Sequence, residues 1–178
     1  LVLGEGGVKM SKRLGNVINP DDVIREYGTD VARMYVMFMG PFGQTGVWDS
    51  KSIIGVQRFL ERVNKLKTRI GSACKNENII HKTVKKVAED IEEFKFNTAI
   101  SQMMILLNEL ESNGLSQDEY DKFMTILAPF APESAKEYVT RSWPEYDEDK
   151  LTANEVTVVI QVNGKLRGNI VVAKDVSE

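Results

Sequence analysis

The chain has 178 residues, a net charge of −3, 42% hydrophobic and 28% charged residues, which is room for one or two small domains with their own cores. No apolar run approaches the roughly 20 residues a membrane span needs, and nothing at the amino terminus looks like a signal peptide. One cysteine (Cys74) and one histidine (His81) exclude a disulfide framework, a cysteine-based zinc site and a two-histidine metal site within one chain, and make a reducing, cytoplasmic setting the default.

The charge is unevenly spread. Residues 51–86 hold ten Lys or Arg and two Glu, and residues 89–149 hold four basic and fifteen acidic residues. Such a chain can present a basic face while remaining acidic overall.

In chain order, Leu1-Val2-Leu3 and Val8-Lys9-Met10 flank a Gly-rich stretch and suggest a hairpin or a mobile loop. Asn19-Pro20-Asp21-Asp22 opens a helix, with Asn19 as N-cap, Pro20 at the first position and the acids at the positive end. Gly28 ends it. Thr29 or Asp30 starts a second helix to about Met39, broken by Gly40-Pro41. Residues 42–50 form a loop.

A long helix is expected over about 51–71, with Val56, Phe59, Leu60, Val63, Leu66 and Ile70 at helical spacing. Others follow at about 79–93, 97–112 and 117–128, the last opened by a Ser116/Glu119 capping box. Pro129 and Pro132 punctuate a turn, a short helix runs toward Arg141, and the acidic stretch 145–149 reads as a linker. The period then alternates: Val156 to Val162 and Leu166 to Val172 are strands joined by an Asn163-Gly164 turn.

The segment with the most chemistry is Lys9-Met10-Ser11-Lys12-Arg13-Leu14-Gly15-Asn16. Two mobile positive charges flank a small hydroxyl residue, and glycines on both sides permit movement. Such a loop can close over a polyphosphate and stabilise charge building on a leaving pyrophosphate. By itself the pattern is usually just that of a solvated surface loop.

Lys9 to Arg13 resembles the KMSKS motif of class I aminoacyl-tRNA synthetases, with Arg13 in place of the final serine. Leu14 to Pro20 resembles the segment that follows it in the leucyl, isoleucyl and valyl enzymes. Tyr27-Gly28-Thr29-Asp30 with Arg33-Met34-Tyr35 looks like the YGAD…RLY helix pair of that group. Three later segments resemble the leucyl type: Met37 to Pro41 with Trp48, the helical stretch His81-Lys82-Thr83 through Phe96 to Ile100, and the hairpin Gln161 to Gly168. The chain departs from the family after Pro132, where Glu133 to Tyr138 and a shortened stretch lead to Trp143-Pro144.

The resemblance implies a mainly α fold. A short β-containing end of the catalytic core (1–48) would lead into a helical anticodon-binding bundle (49–150) and the opening hairpin of a carboxy-terminal domain (151–178). It implies ATP contact by Lys9, Met10, Ser11 and Lys12, with Lys9 and Lys12 catalytic, and a leucine–tRNA ligase activity using ATP (with Mg2+ carried by the nucleotide), leucine and tRNA(Leu). No membrane partner and no metal site in this piece are expected, and the protein is expected to be a monomer. The HIGH motif, the leucine pocket and the editing insertion of the family have no counterpart here. The chain thus reads as a fragment that would be inactive alone.

Arg58, Arg62, Lys65 and Arg69 fall on one helical face and could track tRNA phosphates, or be a solvated face. Lys165 and Arg167 flank the hairpin turn and carry the same two readings. His81 reads as structural, and Trp48, Phe96, Met103 and Met104 as core. Rival readings are an isoleucyl or valyl enzyme, a free-standing tRNA-binding module, and a helical scaffold in which the lysine loop is incidental.

Overall fold

The computed structural model describes residues 1–71, 76–151, 155–162 and 165–173; between 152 and 173 it describes the backbone and only the Arg167 side chain. The chain is mainly α, with six α-helices among the described residues.

The amino-terminal piece departs from the expected hairpin. Val2–Leu3 (β1) does not turn back on Val8 to Met10 but pairs in parallel with Gly46–Val47 (β2). The cause lies in the glycines between. Gly6 and Gly7 take φ of 71° and 77° and wind Glu5–Gly7 into a 3-10 turn, while the Gly4 N–H donates to the Val8 carbonyl at 2.8 Å. The chain therefore leaves β1 sideways, and the edge is filled by Gly46 N–H to Leu1 and Trp48 N–H to Leu3.

Helix α1 (Pro20–Tyr27) begins as expected, the Asn19 Oδ1 accepting from Asp21 N–H at 3.1 Å, and stops where Gly28 adopts φ 89°. Helix α2 (Thr29–Phe38) buries Val31, Met34 and Tyr35. The Tyr35 ring meets Trp48 edge-on at 4.8 Å, and its hydroxyl bonds both the N–H and the carbonyl of Asp49. Asp49 in turn caps α3 (Ser50–Leu66).

Helix α3 ends earlier than its apolar spacing suggests, giving way to a 3-10 turn at Lys67–Arg69. Ile70 then bridges to Leu115. Helices α4 (Glu77–Glu92), α5 (Phe96–Asn113) and α6 (Gln117–Leu127) complete the bundle, and the Ser116/Glu119 capping box at α6 is fully formed. Val56 and Val63 of α3, Val84 and Val87 of α4, Leu106 and Leu107 of α5, and Phe123 and Leu127 of α6 are fully buried in one apolar core that also takes in α2. Each such side chain contributes about 1.5–3 kcal/mol by leaving water.

Helix α4 closes with an unusual residue. Phe94, not glycine, takes the left-handed position at φ 57°, with Lys95 N–H reaching back to the Asp90 carbonyl at 2.7 Å.

Two expectations after α6 change. The short helix toward Arg141 is only a 3-10 turn, Lys136–Tyr138. That segment is held sideways by α6: the Tyr138 hydroxyl donates to Asp121 Oδ1 at 3.0 Å and Arg141 Nη1 to Asp121 Oδ2 at 2.9 Å. The Tyr138 phenol is pushed up to about 12 by burial and by the Asp121 carboxylate it serves. The acidic stretch is not a free linker either. It is tied to α4 by Lys85 to Glu148 at 2.8 Å, by Asn78 Nδ2 to the Lys150 carbonyl at 2.6 Å, and by Asp147 N–H to His81 Nδ1 at 3.0 Å.

Strands β3 (Glu155–Val162) and β4 (Lys165–Ala173) form the expected antiparallel hairpin, with a register shift between Ile160 and Gln161. The Asn163-Gly164 turn and Cys74 lie outside the described residues.

One tie positions the amino-terminal piece on the bundle. Buried Asp30 accepts from the N–H groups of Glu133 (3.2 Å) and Ser134 (2.6 Å), and Arg33 Nη2 donates to the Pro129 carbonyl at 3.1 Å. The turn after α6 is thereby fixed to α2.

Candidate functional site: a lysine loop and a basic helix face

The loop over residues 9–16 is built by short-range bonds. Ser11 caps a 3-10 turn, Lys12–Leu14: its Oγ accepts from Arg13 N–H at 3.3 Å and its carbonyl from Leu14 N–H at 3.1 Å. Gly15 ends the turn at φ 64°, its N–H returning to the Lys12 carbonyl at 3.2 Å. Lys12 and Arg13 are exposed on this turn, and Lys9 is exposed just before it. Met10 is turned the other way, half-buried against the core and lining an apolar groove of about 510 Å³ with Ile18, Val23, Ala32 and Trp48. The Ser11 hydroxyl accepts within the turn and still has its own proton to donate.

The loop can thus present two ammonium groups, one hydroxyl and exposed backbone to a polyanion, from a turn whose far side is anchored by Met10. Ser11 and Lys12 share one short turn, and Lys9 lies just before it, its carbonyl tied to Asn16. Sequence reasoning did not single out Asn16, whose carboxamide accepts from Ser11 N–H at 2.8 Å and donates to the Lys9 carbonyl at 3.2 Å. Nor did it single out Asp30 and Arg33 as ties; the positions were visible in the helix-pair motif, but not their partners a hundred residues away.

The basic face of α3 divides in two. Arg62 lies against Glu111 of α5, its Nε 3.1 Å from Oε2, and its Nη2 donates to Asn108 Oδ1 at 2.6 Å. The hydrogen-bonded Arg62 holds the Glu111 carboxyl below the ordinary carboxylate range, and Glu111 raises Arg62 in return. Arg69 Nη1 donates to the Glu111 carbonyl at 2.9 Å, meeting the negative end of α5. These two side chains staple α3 and the 3-10 turn after it to α5. Arg58 and Lys65 of α3 are exposed, as is Arg167 on β4; Lys165 begins β4.

His81 is buried, and its Nδ1 serves as acceptor for Asp147 N–H. Among the described residues no group of three metal-ligating side chains converges, and no helix is long and apolar enough to cross a membrane.

The family model for the anticodon-binding domain of tRNA ligases matches residues 77–178. The chain belongs to this family. The model for class I tRNA synthetases of the I, L, M and V group matches residues 1–49, so the lysine loop stands in class I synthetase sequence and is followed by an anticodon-binding domain.

Among solved structures, the leucyl-tRNA synthetase (LeuRS) of Agrobacterium radiobacter K84, in a ternary complex with tRNA and LeuAMS, is similar over 100% of this chain and 27% of its own, with 27% identity and a TM-score of 0.76. Methionyl-tRNA synthetase of Mycobacterium tuberculosis, bound by methionyl-adenylate, shares the fold over 78% of this chain and 36% of its own, at 16% identity and a TM-score of 0.61. This synthetase chain spans about a quarter of the length of the leucyl enzyme.

Proposed function

We propose that the chain is part of a leucine–tRNA ligase, in which residues 1–48 supply the loop facing ATP and residues 49–150 with the 151–178 hairpin supply surface to tRNA(Leu). The observation that carries this reading is the pair of exposed lysines, Lys9 and Lys12, on either side of the Ser11 cap, anchored behind by Met10, inside a segment matched by the class I model. Similarity to LeuRS along the whole chain and the leucyl-type hairpin sequence Gln161 to Gly168 support leucine over isoleucine or valine.

In this reading a leucine carboxylate oxygen attacks the α-phosphorus of ATP. The bond from that phosphorus to the bridging oxygen breaks, giving leucyl-adenylate and pyrophosphate. A tRNA ribose hydroxyl then takes the leucyl group and releases AMP. Lys9 and Lys12 close on the pyrophosphate, where charge accumulates as the bond breaks; such charges act on the transition state more than on the bound substrates. Ser11 and neighbouring N–H groups donate to phosphate oxygens. Any Mg2+ arrives with the nucleotide, since the loop has no carboxylate to hold it.

Arg58 and Lys65 on α3, with Lys165 and Arg167 on the hairpin, meet tRNA phosphates, while Arg62 and Arg69 shape the face from beneath. The working setting is a cytoplasmic monomer.

In the intact enzyme carrying this chain, Lys12→Ala is expected to slow leucine-dependent ATP–pyrophosphate exchange by about 10²–10³-fold while leucine binding is kept. Exchange at the wild-type rate would sink the assignment. Exchange driven by isoleucine or valine in place of leucine would reassign the substrate.

A further inference from the structure

Apart from half-buried Met10, the lysine loop has no side chain packed on the core to fix its shape, yet its chemistry depends on where two ammonium groups point. Its backbone is organised around one carboxamide. Asn16 Oδ1 accepts from Ser11 N–H at 2.8 Å, and Asn16 Nδ2 donates to the Lys9 carbonyl at 3.2 Å. Those two groups flank Met10, so a single planar side chain sets the distance between the residues on either side of it. The orientation of the amide is fixed by its partners, because Ser11 offers only a donor there and Lys9 only an acceptor.

The surrounding chain is shaped for this contact. Gly15 at φ 64° turns the backbone so that Asn16 follows directly on the turn carrying Lys12. Gly4 packs against the far side of Asn16: a Cβ at Gly4 would stand 3.4 Å from Asn16 Nδ2 and 3.4 Å from its carbonyl oxygen.

We infer that Asn16 is a positioning residue for the activation step, holding the Lys9 carbonyl and the Ser11 N–H in the one register that presents Lys9 and Lys12 together. It touches no substrate and acts through the loop. This rests on the reading of residues 9–12 as the ATP-facing loop.

Alanine removes both bonds. Aspartate, of the same size, keeps the acceptor for Ser11 but sets a carboxylate oxygen against the Lys9 carbonyl. A loop that samples several registers spends less time with both lysines placed, so the loss falls on the rate of adenylate formation and spares the leucine site.

The test uses the intact enzyme with Asn16→Ala, Asn16→Asp and Lys12→Ala side by side. Active sites are titrated by the adenylate burst, and exchange kinetics are measured per active site. Two lost hydrogen bonds predict a fall in kcat of about thirtyfold for Asn16→Ala, with KM for leucine unchanged and Asn16→Asp no better. If both variants lower only the melting temperature or the active fraction, and each active site turns over at the wild-type rate, the inference is overturned. Should Asn16→Ala reduce the yield of folded enzyme, the isosteric Asn16→Asp decides between the same two outcomes. Lys12→Ala separates the two levels. A slow Lys12→Ala beside a normal Asn16→Ala defeats this inference alone, whereas wild-type turnover in both defeats the reading of the loop itself.

Discussion

Between Val8 and Asn19 no side chain is fully buried, only Met10 and Ile18 lean on the core, and the backbone is otherwise kept in shape by a handful of turn bonds and one amide. From Ser50 to Leu127 the chain is organised the other way, around helices whose inner faces fill a continuous apolar core. The first arrangement rests on hydrogen bonds worth about 1 kcal/mol each, net of what water would supply. The second rests on the removal of large apolar surfaces from water. A loop made the first way can close and open on a ligand at small cost, and a bundle made the second way can serve as its fixed support.

The sharpest way to break this contrast is to damage the support alone. Phe123→Ala empties a fully buried aromatic position in α6 and is expected to cost about 3–5 kcal/mol, read as a lower midpoint in urea unfolding. Turnover per active site at low temperature should stay close to wild type. A large loss of turnover in molecules that remain folded would show the bundle and the loop to be one unit.

A smaller effect is expected at the seam between the regions. Asp30→Ala removes the acceptor of the Glu133 and Ser134 N–H groups, and since Glu133 is exposed and Ser134 half-buried, water replaces part of what is lost and the cost is about 1 kcal/mol. The thermal melt of the intact enzyme should show it as a lower or split transition. A melt indistinguishable from wild type would mean that apolar contacts alone hold α2 in place.

The smallest effect is a pH dependence at the far end of the bundle. Burial holds the His81 imidazole below its ordinary value of 6.5, and Lys122 and Lys150 add to the shift, while Glu77 and Asp147 oppose it. The neutral ring accepts from Asp147 N–H, which a protonated Nδ1 cannot do. Because the folded value is depressed, the unfolded chain binds the proton first as pH falls. Stability from this contact is therefore complete above about pH 6.5 and declines below it, until the folded imidazole also takes up a proton. Melting temperatures between about pH 7.5 and 5 should fall in the wild type and fall less in His81→Gln; parallel curves would assign the decline to other groups.

Much of the bundle was legible because its rules are local. Asn19, Pro20 and Gly28 mark the two ends of α1, the Ser116/Glu119 pair marks the start of α6, and the apolar positions of α3 repeat at helical spacing. The features that escaped reading depend on partners far along the chain. Nothing near Val2 says that it will lie beside Gly46, and nothing in the Arg58 to Arg69 stripe says that Glu111 will claim Arg62. The lysine loop could be found by pattern, since its charges and glycines are adjacent. Its organising residue could not, because an asparagine after Gly-rich sequence is most often only a turn former.

The Asp30 tie also says something about the order in which this chain takes shape. Its bond to the Ser134 N–H joins residues 104 positions apart, and closing so long a loop is entropically costly until the intervening segments have folded. Helices α3 to α6 need no such wait, since each has neighbours close in sequence. Closing this contact costs least once the helices between Asp30 and Ser134 are in place, which makes the Asp30 tie a clasp on a frame already built and not the feature that builds it.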